Sequence, residues 1–226
     1  MSETSFHFET PPDFQPNVDY RSVIEKGEIV STKHLEGYWP MSVVAFKTGE
    51  SAIFKTTDDK LEAVVSAIDS AGQFDLIPPV AARNVEGSSG MVQHIPEDSQ
   101  LAIYYSDWKE LVSEEELIKA AAFDFALDSK ARTQIDILIN RNKKKIFLIN
   151  NDGLMLLEYG HKEKSVLAPL TVEKGPVGLS EKVIAGFRKV IDSEGELMKG
   201  LNKREADFVS GFVSRAKLLV ENKALL

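Results

Sequence analysis

The sequence predicts an α+β fold, in which a β-rich first part gives way to a mainly helical second part with one hairpin in its middle. Three observations predict it. The β-branched and aromatic runs SVVAF (42–46) and SAIFK (51–55) flank the turn KTGE early in the chain. Apolar residues recur at helical spacing through much of the second half. Between those helices, IDILIN and KKIFLIN read as two strands joined by a basic turn.

Residues 1 to about 20 have few apolar side chains and several prolines, which predicts a loose or wrapped leader. Gly49 of KTGE supplies the positive φ of a tight hairpin turn, and the second strand of that hairpin ends on Lys55. In DDKLEAVVSAIDSAG, Leu61, Val64, Val65 and Ile68 fall on one helix face, with Asp58 or Asp59 to cap the start and Gly72 to close the end. Pro78 and Pro79 impose an extended connector, EGSSG a flexible turn, and MVQHIP (91–96) a short strand stopped by Pro96. Ser113 and Glu116 form a capping box for a helix running through LIKAAAFDFAL, which is apolar nearly all round and therefore interior. NNDG (150–153) is a turn and LMLLEYG resumes an extended run. Two amphipathic helices close the chain, one burying Val183, Ile184, Phe187, Val190 and Ile191, the other Val209, Phe212, Val213, Ala216 and Val220.

Composition narrows the function. The 226 residues are 43% hydrophobic and 27% charged, as in a globular protein. No apolar run approaches the roughly 18 residues needed to span a bilayer, so no membrane span is expected. The N-terminus carries neither the basic nor the apolar region of a secretory signal, which makes a cytoplasmic location the expectation. Without cysteine there is no disulfide, thiolate–metal site or cysteine nucleophile, and the four histidines have no zinc-ligand spacing. A net charge of −8 speaks against nucleic acid as a partner. The basic run RNKKK (141–145) reads as a solvated hairpin tip, with a patch for an anionic partner as the other reading.

The order hairpin–lysine, helix–glutamate, IPP connector, GSSGMVQ strand, buried helix, polar loop and hairpin resembles the bacterial phosphatidylinositol 3- and 4-kinase-related proteins. The likeness runs from about Gly37 to the last helix. Its best segments are LEAVVSAIDSAGQFDLIPPVAARNVEGSSGMVQHIP and ELIKAAAFDFALDSKARTQIDILI. It implies the two-lobed protein-kinase-like fold: a leader over 1–20, a small β-rich lobe with its hinge strand over 21–96, and a helical lobe with an inserted hairpin over 97–226. It also implies ATP and Mg²⁺ as cofactors. Lys55 takes the place of the strand lysine that meets the nucleotide phosphates, and Glu62 that of the helix glutamate that orients it. Gln93, His94 and Ile95 take the hinge, whose backbone would meet an adenine edge while their side chains carry little information.

The catalytic half matches in length and departs in chemistry. Such kinases end the buried helix in a pattern close to FDYLINNxDRxxxN, with histidine an alternative in the last place. Here Arg132 keeps the arginine, Ala131 replaces the aspartate before it, and Asp136 stands at the metal-ligand position. In the IDxG-like motif after the hairpin, Asn150 takes the aspartate position if the strand sets the register, Asn151 if Gly153 does. Asp152 serves only if the turn is re-threaded. The metal set is then Asp136 and Asn150, with Asp152 as a third candidate. Asp128, three residues before Ala131, is the stand-in base. Its other reading is a helix-end residue, and that of Asp152 is a turn residue. A lost base and a lost ligand predict a pseudokinase or very weak kinase that binds ATP and acts through a protein partner. The alternatives are an active atypical phosphotransferase with a rewired metal site, and an unrelated α+β interaction protein.

Overall fold

The computed structural model describes residues 19–34, 41–57, 60–129, 132–151, 165–168 and 176–225. They form an α+β fold built on a five-stranded antiparallel sheet. Its strands are β1 (Ile29–His34), β2 (Met41–Phe46), β3 (Ser51–Thr56), β4 (Val80–Val85) and β5 (Ser88–His94), in the order β1-β2-β3-β5-β4. The described α-helices are α1 (Tyr20–Lys26), α2 (Leu61–Gly72), α3 (Glu114–Leu127), α4 (Glu181–Asp192), α5 (Glu194–Leu197) and α6 (Lys203–Asn222). A second sheet joins β6 (Ser99–Leu101), β7 (Ile137–Asn140) and β8 (Lys145–Leu148), and β9 (Val177–Gly178) pairs with β10 (Ala224–Leu225). No described helix is long and apolar enough to cross a membrane.

Period-2 alternation gives the five-stranded sheet two different faces. On one, Val44, Phe46, Ala52, Phe54, Ala81, Val85 and Val92 close over Ile24 of α1. Arg83 donates to the carbonyls of Ile24 and Gly27 at 3.2 and 3.0 Å, and Tyr20 stacks on His94 with ring centroids 4.4 Å apart. On the other face, Val43, Ile53 and Ile95 meet Leu138, Phe147 and Ile149 around the β7–β8 hairpin. Met91 and Val80 join the largest apolar cluster, which also holds Val64, Val65 and Ile68 of α2 with Phe123, Phe187 and Phe212 of α3, α4 and α6. The helix α2 therefore packs among the C-terminal helices as well as against the sheet.

The expected β2–β3 hairpin is present, with Gly49 at φ 98°, and Ser113 caps α3 by accepting from the Glu116 amide at 3.2 Å. The Glu116 carboxylate turns to Lys119. Several details differ from expectation. Gln73, at φ 55°, ends α2 in the left-handed conformation; Gly72 is small for another reason, since a Cβ there would stand 2.1 Å from the Phe74 ring. The flexible turn is limited to Glu86–Gly87, because Ser88, Ser89 and Gly90 already pair with β4. In α6 Leu219, one position before Val220, is the fully buried residue. The turn 141–144 is exposed, as a solvated hairpin tip should be. Asp58, Asp59 and the run LMLLEYG lie outside the described residues.

The connector from α2 to β4 fixes the distance between sheet and helices. The Leu76 amide donates to the Asp69 carboxylate at 3.0 Å, Lys119 to the Phe74 carbonyl at 2.8 Å, and the Leu148 amide to the Leu76 carbonyl at 2.8 Å. Asp69 is buried, and burial pushes its carboxyl up to about 7 against the pull of the Leu76 and Ile77 amides. Folded and unfolded chains are both protonated there below about pH 4 and both ionised above about pH 7. Between those limits the unfolded chain alone ionises, so this group makes stability fall as pH rises. Asp69→Asn removes that dependence. Urea unfolding across pH 4 to 7 should show the variant gaining on the parent by roughly 2–4 kcal/mol. A constant difference across that window would refute the assignment.

Candidate functional site

Lys55 lies on β3, pointing to the face opposite α1, where its strand also carries Ile53. The neighbouring strand approaches closely here: a Cβ on Gly90 would stand 2.2 Å from the Lys55 carbonyl oxygen. The Lys55 ammonium donates to Asn150 Oδ1 at 2.8 Å across 95 sequence positions. Asn150 Nδ2 in turn donates to Asp136 Oδ1 at 2.9 Å. The other carboxylate oxygen, Asp136 Oδ2, accepts from the Thr133 amide and hydroxyl, both at 2.9 Å. Asp136 closes a 3₁₀ turn (Gln134–Asp136) whose capping box with Thr133 fixes the side chain locally. Asn150 sits at φ 56°, a conformation asparagine tolerates better than most residues, and it turns the chain out of the β8 direction.

A second chain of bonds runs beside the first. Glu62, near the start of α2 and buried, accepts from the Asn151 amide at 2.7 Å, from Asn151 Nδ2 at 2.6 Å and from Gln93 Nε2 at 3.3 Å. Asn151 Oδ1 accepts from Arg132 Nη2 at 2.7 Å. Arg132 has 0% exposure; its Nε donates to Asp124 Oδ1 at 2.7 Å, and its Nη1 to the carbonyls of Asp136 and Ile149 at 3.3 and 3.2 Å. Asp124 also accepts from the Ser165 hydroxyl at 2.8 Å. Burial pushes the Asp124 carboxyl up, and Arg132 and Ser165 pull it back.

Six of the residues singled out from the sequence thus converge: Lys55, Asn150 and Asp136 in one chain, Glu62 and Gln93 in the other, and Arg132 behind them. In the turn after β8 it is Asn150 that faces Asp136, while Asn151 turns to Glu62. Asp128 is the exposed left-handed cap of α3, at φ 58°, which is its helix-end reading, and its charge acts on Arg215 of α6.

The hinge strand also departs from expectation. The amides of His94 and Ile95 donate to the carbonyls of Pro79 and Ser51 at 2.9 and 3.0 Å, so the sheet has already taken these two donors. The His94 ring lies on the α1 side, where burial pushes its pKa down to about 4. The Gln93 side chain, by contrast, binds Glu62 directly and does carry information. Ala131 and Asp152 lie outside the described residues.

Four residues of this network have no forecast in the sequence: Asn151 as a hub, Asp124, Thr133 and Ser165. The one available signal was the spacing of Asp124, in the last turn of α3, and Arg132, a pairing that a separation of eight positions allows. No family model matches the sequence, and neither does any curated protein.

Removing Arg132 strands a buried carboxylate and a buried amide oxygen. Arg132→Gln is expected to cost about 3–5 kcal/mol in denaturant unfolding, since breaking one side of a buried pair leaves an uncompensated charge. Arg132→Lys recovers only part of this, because an ammonium cannot reach four acceptors in one plane. A loss below about 1 kcal/mol for Arg132→Gln would show that the guanidinium does not organise the loop.

Proposed function

We propose that this chain is a two-lobed, kinase-like domain of the pseudokinase kind, which binds a nucleotide at the Lys55–Asn150–Asp136 chain and acts through a protein partner. The observation that carries this reading is the contact of the strand lysine with Asn150, itself bonded to Asp136. These are the three positions at which the resemblance to bacterial phosphatidylinositol 3- and 4-kinase-related proteins places phosphate and metal contacts. The half-buried Val43, Ile53 and Leu101, beside Leu138 and Ile149, give this side of the sheet an apolar surface next to the ammonium, the pairing a nucleoside phosphate needs.

Two other positions speak against turnover. Ala131 has no carboxylate to orient an acceptor hydroxyl, and Asp128 is a helix cap. The competing reading, an active phosphotransferase, draws on Asp136, a buried carboxylate within two hydrogen bonds of Lys55.

A thermal-shift titration tests the proposal. At 100 times its Kd a ligand of the native state adds about 2.7 kcal/mol, or about 5–10 °C in Tm for a chain of this size. ATP is expected to produce such a shift, and Lys55→Ala to lose it. Absence of any shift at millimolar ATP would overturn nucleotide binding. Label transfer from ATP to protein that disappears in Lys55→Ala and Asp136→Ala would overturn the pseudokinase reading in favour of the active one.

A further inference from the structure

We infer that this site takes its nucleotide without a divalent cation, the Asn150 amide filling the place that a cation would hold between residue 150 and Asp136. The inference rests on the nucleotide reading above and departs from the Mg²⁺ that the family resemblance implies. Lysine offers only donors, so the Asn150 atom 2.8 Å from the Lys55 ammonium is the amide oxygen. That fixes the other end: an NH₂ donor, not an oxygen, faces Asp136 at 2.9 Å. A cation at this point would meet a donor hydrogen. Turning the amide to offer its oxygen would set Nδ2 against the ammonium, donor to donor.

Among the described residues, the other carboxylate groups of this centre already hold donors. Asp136 Oδ2 already holds the Thr133 amide and hydroxyl, and Glu62 holds Asn151 and Gln93. Mg²⁺ is bound through one or two carboxylates with near-octahedral oxygen geometry. Asn150 thus accepts from the cationic Lys55 and donates to the Asp136 carboxylate, joining the two without a cation between them. The ligand class that follows is a nucleoside phosphate in its free, uncomplexed form, its anionic oxygen directed to Lys55.

Calorimetric titration of the full chain with ATP, once in EDTA and once in excess Mg²⁺, decides it. The expected result is a Kd in EDTA that equals the Mg²⁺ value within about threefold or is tighter. Binding seen only with Mg²⁺ overturns the inference and leaves the nucleotide reading standing. Binding in neither condition overturns both. An Asn150→Asp variant sharpens the test, because it places a carboxylate against Asp136. Its Tm should fall in EDTA and recover as Mn²⁺ is added, while the Tm of the parent does not respond to Mn²⁺ alone. A parent that responds to Mn²⁺ as strongly as the variant, or a variant indifferent to it, would remove Asn150 from this role. Where Asn150→Asp fails to fold, the EDTA comparison on the unmodified chain still decides.

Discussion

The guanidinium of Arg132 is the interaction on which the polar centre of this protein depends. A cation with 0% exposure persists only where its donors are matched, and here the carboxylate of Asp124, the carbonyls of Asp136 and Ile149 and the amide oxygen of Asn151 match them. Because those partners come from α3, from the 3₁₀ turn and from the chain after β8, one planar group sets three segments in a fixed relation. The Val166 amide adds a fourth segment by donating to the Arg132 carbonyl at 2.9 Å. Lysine offers a point charge in this position, not a fork, and would not define the plane.

From that anchor the rest of the centre follows. With Asn151 Oδ1 held by Arg132, its backbone amide meets Glu62 and its Nδ2 donates to Glu62 and to the Leu148 carbonyl. Asn150, one residue earlier and in the left-handed conformation, points its side chain to Lys55 and Asp136 instead. Two adjacent asparagines thereby carry two separate chains of hydrogen bonds, one to β3 and one to α2. Glu62 stays buried because three donors converge on it, and the same contacts tie the sheet to the loops of the helical part.

The elements legible in the sequence are those whose signal is local. The β2–β3 turn has its glycine, the β7–β8 hairpin its polar tip, and α3, α4 and α6 repeat their apolar positions over enough turns to be read. The helix α1 has seven residues, too few for a helical period to recur convincingly, and β1 is an edge strand whose exposed residues do not alternate. In the centre, the order of motifs picked out Lys55, Glu62, Asp136 and Asn150, which the structure brings into two neighbouring chains of hydrogen bonds. It did not give the division of labour between Asn150 and Asn151, which depends on a single backbone angle. Nor did it give the depth of Arg132, since arginine is ordinarily a surface residue and only four distant partners make its burial tolerable.

The surroundings of positions 136 and 150 differ. At 136 the side chain meets the backbone and hydroxyl donors of Thr133, an environment that favours a carboxylate. At 150 it lies between an ammonium and a carboxylate, where it must accept on one side and donate on the other. Asparagine does both. Aspartate at 150 would serve Lys55 and oppose Asp136, at a separation where like charges repel strongly unless something positive stands between them. Restoring the aspartate that the family resemblance expects at 150 would therefore create a demand for a cation that the present pair does not make. Each of the two residues is the better choice for its own neighbours, and together they make a site whose polar groups answer one another.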